Sequence, residues 1–246
     1  MVSVIVNADD FGANNCVNAA IENAIKEGVI SSTTIMANGL SFDSAVEFAK
    51  KNRNVSYGVH LNLTQFQSLT NPKIFQELKI MDSPSYKQVF PSGKMTRELL
   101  QAVEGEWIAQ IEKFISSGLG LPSHIDSHHH VHTRPSLFLA LKAVQKYFGI
   151  KKVRNTANVY TDLYKVSFAK KTGKFIWSYC LKNIYKTKTT DNFLSYSEFI
   201  SLPTINKDKI YELMCHPGGQ YHSEDDLVGQ NAISRKDVKL ISYNEL

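Results

Sequence analysis

The chain has few cysteines, no long apolar run and no strong excess of one charge, and each absence argues against a class of protein. Its three cysteines, Cys16, Cys180 and Cys215, are odd in number and widely spaced, which fits neither a disulfide framework nor a zinc knuckle of paired thiols. We therefore expect a reducing compartment and a cytoplasmic protein. No stretch reaches the roughly 18 uninterrupted apolar residues of a membrane span, and the apolar start lacks the basic leader of a secretory signal.

The charge balance is also unremarkable. The 28 basic and 23 acidic residues give a net charge of +5 over 246 residues, and the basic residues are scattered, with a mild cluster between residues 165 and 188. This distribution gives little support to nucleic-acid binding. The 43% hydrophobic content is typical of an ordered globular protein with a large core. Because no linker or repeat is evident, we expect one domain over residues 1–246.

Apolar segments of strand and helix periodicity alternate along the chain, which predicts an α/β fold with mainly parallel strands. An insertion rich in loops is expected at 64–95, and an irregular, partly helical stretch at 156–196. Strands are predicted at residues 2–8, 32–37, 55–63, 123–127, 152–154 and 210–215, and helices at 15–27, 42–51, 97–117, 135–148 and 234–246.

Five of the eight histidines lie in the nine residues from His124 to His132, together with Asp126. Imidazole is the commonest metal ligand and titrates near neutral pH, so this segment suits a metal site or a proton-transfer site. A histidine-rich surface loop is the alternative.

Polar motifs follow four of the predicted strands, and the carboxyl ends of parallel strands gather on one face. Each motif alone has a simple explanation: the acids Asp9 and Asp10 could cap a helix, while His60 and His216 could be hydrogen-bonded structural residues. Their convergence favours a site, because buried ionisable groups are costly unless paired or metal-bound.

The residue types limit the chemistry of such a site. One carboxylate and two imidazoles make a three-ligand metal site that is open to water and substrate. A second, adjacent carboxylate can accept the proton of the attacking water, and Asp9 and Asp10 suit these two roles. His216, on another strand, is placed to protonate a leaving amine.

At these motifs the chain resembles the YdjC-type carbohydrate deacetylases, which include the chitooligosaccharide deacetylases. The matching segments are Asn-Ala-Asp-Asp-Phe-Gly at 7–12, Gly-Val-His-Leu-Asn-Leu-Thr at 58–64, His-Ile-Asp-Ser-His-His-His-Val-His at 124–132 and Cys-His-Pro-Gly at 215–218. The resemblance implies an irregular (β/α) barrel of the polysaccharide-deacetylase type. It also implies a divalent metal, usually magnesium, and hydrolysis of N-acetyl groups from amino sugars.

The resemblance also suggests roles for individual residues. Asp9 would be the general base and His216 the general acid, and Arg154 would orient Asp9 or keep it ionised. The metal ligands would be Asp10, His60 and His124.

Further residues would take supporting roles. Asp126 and His128 would support the ligands through hydrogen bonds. The histidines His129, His130 and His132 would serve packing or a substrate loop. Ligand chemistry alone favours zinc, nickel, cobalt or iron over magnesium, which prefers oxygen ligands.

The substrate is expected to be a small N-acetylated sugar, and a homodimer is expected only from the commonness of two-fold assemblies. Aromatic side chains in the two irregular regions could stack on a sugar ring; they are Phe66, Phe75, Tyr160, Tyr164, Trp177 and Phe193. Two other functions remain open at this point. One is a metal-dependent phosphoesterase, which would need two ions, and the other is a binding protein without turnover.

Overall fold

A computed structural model describes residues 1–78, 80, 95–158, 167–219 and 238–246. The strands are β1 (Val2–Phe11), β2 (Ser32–Ile35), β3 (Ser56–Leu61), β4 (Ile125–Ser127), β5 (Asn192–Ser195), β6 (Ile210–Cys215) and β7 (Val238–Leu240). The α-helices are α1 (Asn15–Lys26), α2 (Phe42–Lys51), α3 (Lys73–Glu77), α4 (Arg97–Phe114), α5 (Phe138–Phe148), α6 (Phe168–Tyr179) and α7 (Tyr196–Ile200).

All the strand pairs in the described residues are parallel, as the sequence predicts. The strands follow the order β4-β3-β2-β1-β6-β5, with β7 added to β1. Strand β1 is buried on both faces, which is usual for a parallel sheet covered by helices and explains its run of Val, Ile and Ala. The central position of β1 brings its carboxyl end, with Asp9 and Asp10, to the middle of the sheet edge.

The sheet curls into an incomplete barrel, which confirms the predicted fold. Single parallel bridges link β4 to β5 through the segment between them: Ile125 pairs with Val153, Lys152 with Lys188 and Asn158 with Phe193. The predicted strand at 152–154 is therefore present only as these isolated bridges. The predicted stretch at 156–196 contains α6 and β5 among its described residues.

The predicted helix at 234–246 is wrong. The described part of this segment, 238–246, forms β7 followed by a 3₁₀ turn at Tyr243–Glu245. Strand β2 pairs with β1 only from Asn7 onward, whereas β7 pairs with Val2–Val4, so β7 covers the part of the central strand that β2 leaves unpaired. This long-range pairing outweighs the local helical pattern.

The helices are defined by ordinary local signals. Helix α1 begins where the Asn14 side chain accepts the Val17 backbone N–H at 3.0 Å, and it buries Val17, Ile21 and Ile25. Among the described residues, no helix has the length and apolar character that crossing a membrane requires.

Candidate metal and catalytic site

Adjacent residues of a strand normally point to opposite faces of the sheet, yet Asp9 and Asp10 both line the same cavity. The register of β1 against β2 shifts between Ala8 and Phe11, and Asp10 has a left-handed backbone with φ of 67°. Such an irregularity at a strand end re-aims a side chain. It allows two neighbouring carboxylates to serve one site.

Asp10, His60 and His128 form a compact group of ligand type. Asp10 Oδ1 lies 3.0 Å from His60 Nε2 and 2.8 Å from His128 Nδ1. The three ligand atoms all lie within 4.8 Å of one another. Ligands about 2.0–2.2 Å from one ion are roughly 3 Å or more apart, so these separations fit a shared cation.

The structure does not bring His124 into this group, which corrects the predicted ligand set. In the sheet, His60 is level with Asp126, so His124 lies two residues deeper, roughly 6–7 Å along the strand. Its ring stacks on Tyr243 with centroids 3.6 Å apart, and its Nδ1 is 2.9 Å from the Ser123 hydroxyl. Burial, with the nearby charge of Arg154, keeps the pKa of His124 well below its usual value. His124 is thus a neutral residue of the barrel interior.

His128 occupies the position that was expected for His124. It directly follows β4 and begins the 3₁₀ segment His128–Thr133, in which His129 and His130 both have φ of 53°. The chain turns sharply there, at the mouth of the barrel. The sequence signal was available, because His128 follows the strand predicted at 123–127, whereas His124 lies near the start of that strand.

Asp126 supports His60, as the sequence predicts. Its Oδ1 is 2.7 Å from His60 Nδ1, and Thr34 Oγ1 donates to its Oδ2 at 3.0 Å. This contact directs His60 Nε2 toward Asp10. Burial alone would lower the pKa of His60, but Asp126 and Asp10 raise it to about 10.

Arg154 holds Asp9 with two charge-assisted hydrogen bonds, each 2.6 Å long, from Nη1 and Nη2. Both side chains are buried. Burial would raise the pKa of Asp9, but the Arg154 charge and hydrogen bonds outweigh it and hold this pKa below its usual range. His216, in the loop after β6, places Nε2 3.9 Å from Asp9 Oδ2. The predicted neighbours of Asp9 are therefore present.

Two residues that sequence reasoning missed complete the support of Arg154. Glu212 Oε1 accepts from Arg154 Nε at 2.7 Å, and Tyr243 Oη donates to Glu212 Oε2 at 2.5 Å. All three side chains are fully buried. The sequence does contain a signal for this role: Glu212 lies within the apolar segment Ile-Tyr-Glu-Leu-Met-Cys of β6. A buried acid needs a partner, so its position indicates an ion pair or a hydrogen bond in the core.

The remaining histidines of the cluster do not belong to the ligand group. The Nδ1 of His129 is 3.0 Å from Thr64 Oγ1, and the ring of His130 meets Phe193 edge-on at 5.3 Å. His132 bridges the Ser127 hydroxyl and the Arg154 carbonyl at 2.5 and 3.2 Å.

The site opens into a cavity of about 600 Å³. Of the predicted aromatic residues, Phe193 lines it, whereas Phe75 and Trp177 are buried in the hydrophobic core. Tyr160 and Tyr164 lie outside the described residues.

The side chains of the site offer a suitable set of donors for a metal ion. Asp10, His60 and His128 offer one oxygen and two nitrogen ligands, and the buried Nε2 of His128 has no hydrogen-bond partner in the described structure. In a second group, Asp9, His60 and Asp126, both carboxylates pair with the Arg154 guanidinium, which already supplies a positive charge there. The residues present therefore fit one cation.

Comparison with known proteins agrees with the motifs and the fold. The family model described as YdjC-like protein matches residues 3–244. The chain belongs to the YdjC-like family. Among its relatives are proteins named carbohydrate deacetylase: that of Clostridium beijerinckii is 30% identical over 87% of this chain and 81% of the relative, and that of Oceanobacillus iheyensis is 34% identical over 87% and 85%. This confirms the predicted family.

A solved structure of similar fold comes from Enterococcus faecalis V583, where the protein is provisionally described as a cellobiose-phosphate cleavage protein. It is 25% identical, with a TM-score of 0.68 over 99% of this chain and 98% of that one. The fold of this chain is therefore shared with that protein over nearly the whole length of both chains.

Proposed function

We propose that this YdjC-like protein is a metal-dependent hydrolase that removes N-acetyl groups from amino sugars or chitooligosaccharides. One observation carries the proposal: a carboxylate–imidazole–imidazole group lies at the cavity, beside a second carboxylate that a buried arginine keeps ionised. The relatives named carbohydrate deacetylase support the substrate class.

Asp10, His60 and His128 would hold the ion. A divalent ion in this position supplies Lewis acidity, which polarises the acetyl carbonyl and acidifies water. Asp126 keeps the His60 ring in the orientation that points Nε2 at the site. Two imidazoles favour a transition metal such as zinc, whereas the family resemblance favours magnesium. Metal analysis of the purified protein distinguishes the two.

The proton transfers belong to side chains around Asp9. A water oxygen attacks the acetyl carbon, and the Asp9 carboxylate accepts the proton that this water loses. When the carbon–nitrogen bond breaks, the His216 imidazolium donates a proton to the leaving nitrogen, which gives acetate and the free amine. Arg154 positions Asp9 and keeps it in the ionised form that a base requires.

Acetate release from N,N′-diacetylchitobiose, before and after chelation, tests the proposal. Asp9→Asn should lower kcat by about 10²–10⁴-fold, the usual contribution of a general base, with metal content unchanged. His128→Ala should lose the metal, whereas His130→Asn, a cavity residue outside the ligand group, should retain it. Folded, metal-loaded protein that released no acetate from any N-acetylated sugar would refute the assignment.

Among the residues that the structure describes, the candidate ligand groups give no support to a two-metal phosphoesterase. The second candidate ligand group shares His60 with the first, and both of its carboxylates pair with Arg154, so a second ion there would face a buried guanidinium.

A further inference from the structure

A second cavity, of about 470 Å³, lies where the end of α5 meets the segment 185–187. It shares no described lining residue with the cavity of the metal group, and its size suits a small ligand. None of its described lining residues is acidic, whereas four are lysines: Lys142, Lys146, Lys151 and Lys186. We call it the lysine cavity.

No acidic residue nearby in the sequence balances these lysines. Residues 127–161 and 163–190, which include every described lining residue of the lysine cavity, contain no Asp or Glu. Among the described residues, lysine ion pairs form elsewhere, and none involves the four lysines of the cavity. Asp191, which follows the second segment, pairs instead with Lys182 and Lys209 at 3.2 and 3.8 Å. The positive charge of the cavity is therefore not compensated by a described carboxylate.

Lys142 is the least exposed of the four cations. Its ammonium donates to Gln145 Oε1 at 2.6 Å and to Thr187 Oγ1 at 2.8 Å. It also lies 5.3 Å from the centre of the Phe138 ring and 5.1 Å from that of the Tyr185 ring. All these partners are neutral, and burial lowers the pKa of Lys142 to about 8. An anion in the cavity would offset the cost of burying this charge.

Local helix effects explain only one of the lysines. Lys146 lies in the last turn of α5, where the carbonyl end of the helix favours a cation. This effect is confined to the last turn, so it does not extend to Lys142 in the middle of α5. Lys186 follows the end of the helical segment Cys180–Ile184 and has a left-handed backbone with φ of 50°. Glycine or asparagine is usual at such a position, and here it is a lysine on the cavity wall.

We propose that the lysine cavity binds a phosphate group, carried either by free phosphate or by a small phosphomonoester. A phosphomonoester bears about 1.5–2 negative charges near neutral pH, and lysine is a common phosphate ligand. Ala143, Ile150 and Tyr185 supply the apolar part of the wall against which the organic group of an ester would pack. The inference does not rest on the proposed deacetylase function, because the lysine cavity and the metal group have separate walls.

The test is a titration of the ¹⁵N-labelled full chain, followed by the amide NMR signals of Gly149, Ile150 and Thr187 on the cavity wall. The probes are inorganic phosphate, phenyl phosphate and, as the uncharged arm, phenol. Both phosphates should give saturable shifts at these amides, and phenol should give none. Tighter binding of phenyl phosphate identifies a phosphomonoester as the ligand class, and equal binding identifies free phosphate.

Two double variants with the same loss of charge separate the cavity from net charge. Lys146→Gln/Lys186→Gln changes only exposed lysines of the cavity and should weaken phosphate binding by about fivefold or more. Lys26→Gln/Lys113→Gln changes lysines that lie over the Phe48 and Phe42 rings, outside the cavity, and should keep the wild-type affinity.

Three results would overturn the lysine cavity as a phosphate site. They are the absence of saturable shifts at the three amides, an unchanged affinity in Lys146→Gln/Lys186→Gln, and an equal loss of affinity in both double variants. Phosphate binding at the metal cavity would shift other amides, so the readout separates the two sites. Failure of the deacetylase assay would leave this outcome unaffected.

Discussion

Replacing Tyr243 by Phe isolates the hydrogen bond at the base of the Arg154 network. The change removes only the hydroxyl that donates to Glu212 Oε2 at 2.5 Å, and it keeps the ring that stacks on His124. Because the group is fully buried, no solvent replaces the lost donor. A hydrogen bond to a charged acceptor contributes about 1.5–3 kcal/mol. We expect a loss of about 2 kcal/mol in the free energy of unfolding, and Tm should fall by about 2–4 °C for each kcal/mol.

The assay is urea denaturation and thermal unfolding of the variant beside Tyr147→Phe. Tyr147 is 66% exposed, so the same loss of a hydroxyl should leave its stability within about 0.5 kcal/mol of wild type. Acetate release should fall in Tyr243→Phe as well, because a loosened Glu212 releases the guanidinium that positions Asp9. Unfolding of Tyr243→Phe at the wild-type midpoint would refute the reasoning that this bond stabilises the site.

Three further predictions follow from other contacts. Metal affinity should rise with pH up to about pH 10, because His60, with a pKa of about 10, must lose a proton before an ion binds. Calorimetry in buffers of different ionisation enthalpy measures the number of protons released on binding. An affinity that did not change with pH would contradict this prediction. Asp126→Asn should weaken metal binding by about 10–100-fold with the fold retained, since it alters the partner of His60; competition with a chelating dye checks this, and wild-type affinity would count against it. Gly58→Ala should destabilise the protein by about 1–3 kcal/mol, because the new Cβ would lie 2.5 Å from the His124 ring. Gly105→Ala, in the middle of α4 with open space around it, should instead stabilise the protein by about 0.5–1 kcal/mol. If the two variants unfolded at the same denaturant concentration, the packing argument would be refuted.

The sequence predicts the parts of the site that depend on where strands end. Asp9, Asp10 and His60 come together because parallel strands deliver their carboxyl ends to one edge. The choice between His124 and His128 depends instead on the register of β3 against β4, which places His60 level with Asp126. Hydrophobic periodicity identifies a strand without giving its register, so the ligand set needed the structure.

The misread C-terminal segment has a similar cause. Residues Val238–Leu240 form a strand because one side of β1 between Val2 and Val4 is otherwise unpaired. No sequence pattern within residues 234–246 indicates that this side of a distant strand is free to pair. The contact of Tyr243 with Glu212 follows from this pairing. The residues that sequence reasoning missed are thus those whose neighbours come from distant parts of the chain.

The position of β1 also bears on synthesis. This strand is synthesised before two of its partners, β6 and β7, which follow it by about 200 residues or more in the sequence. Long-range pairings of this kind are slow to form, and the edges of the early strand stay exposed until its partners have been made. A nascent chain therefore carries Asp9 and Asp10 before β6 and β7, the strands that pair with β1, have been made.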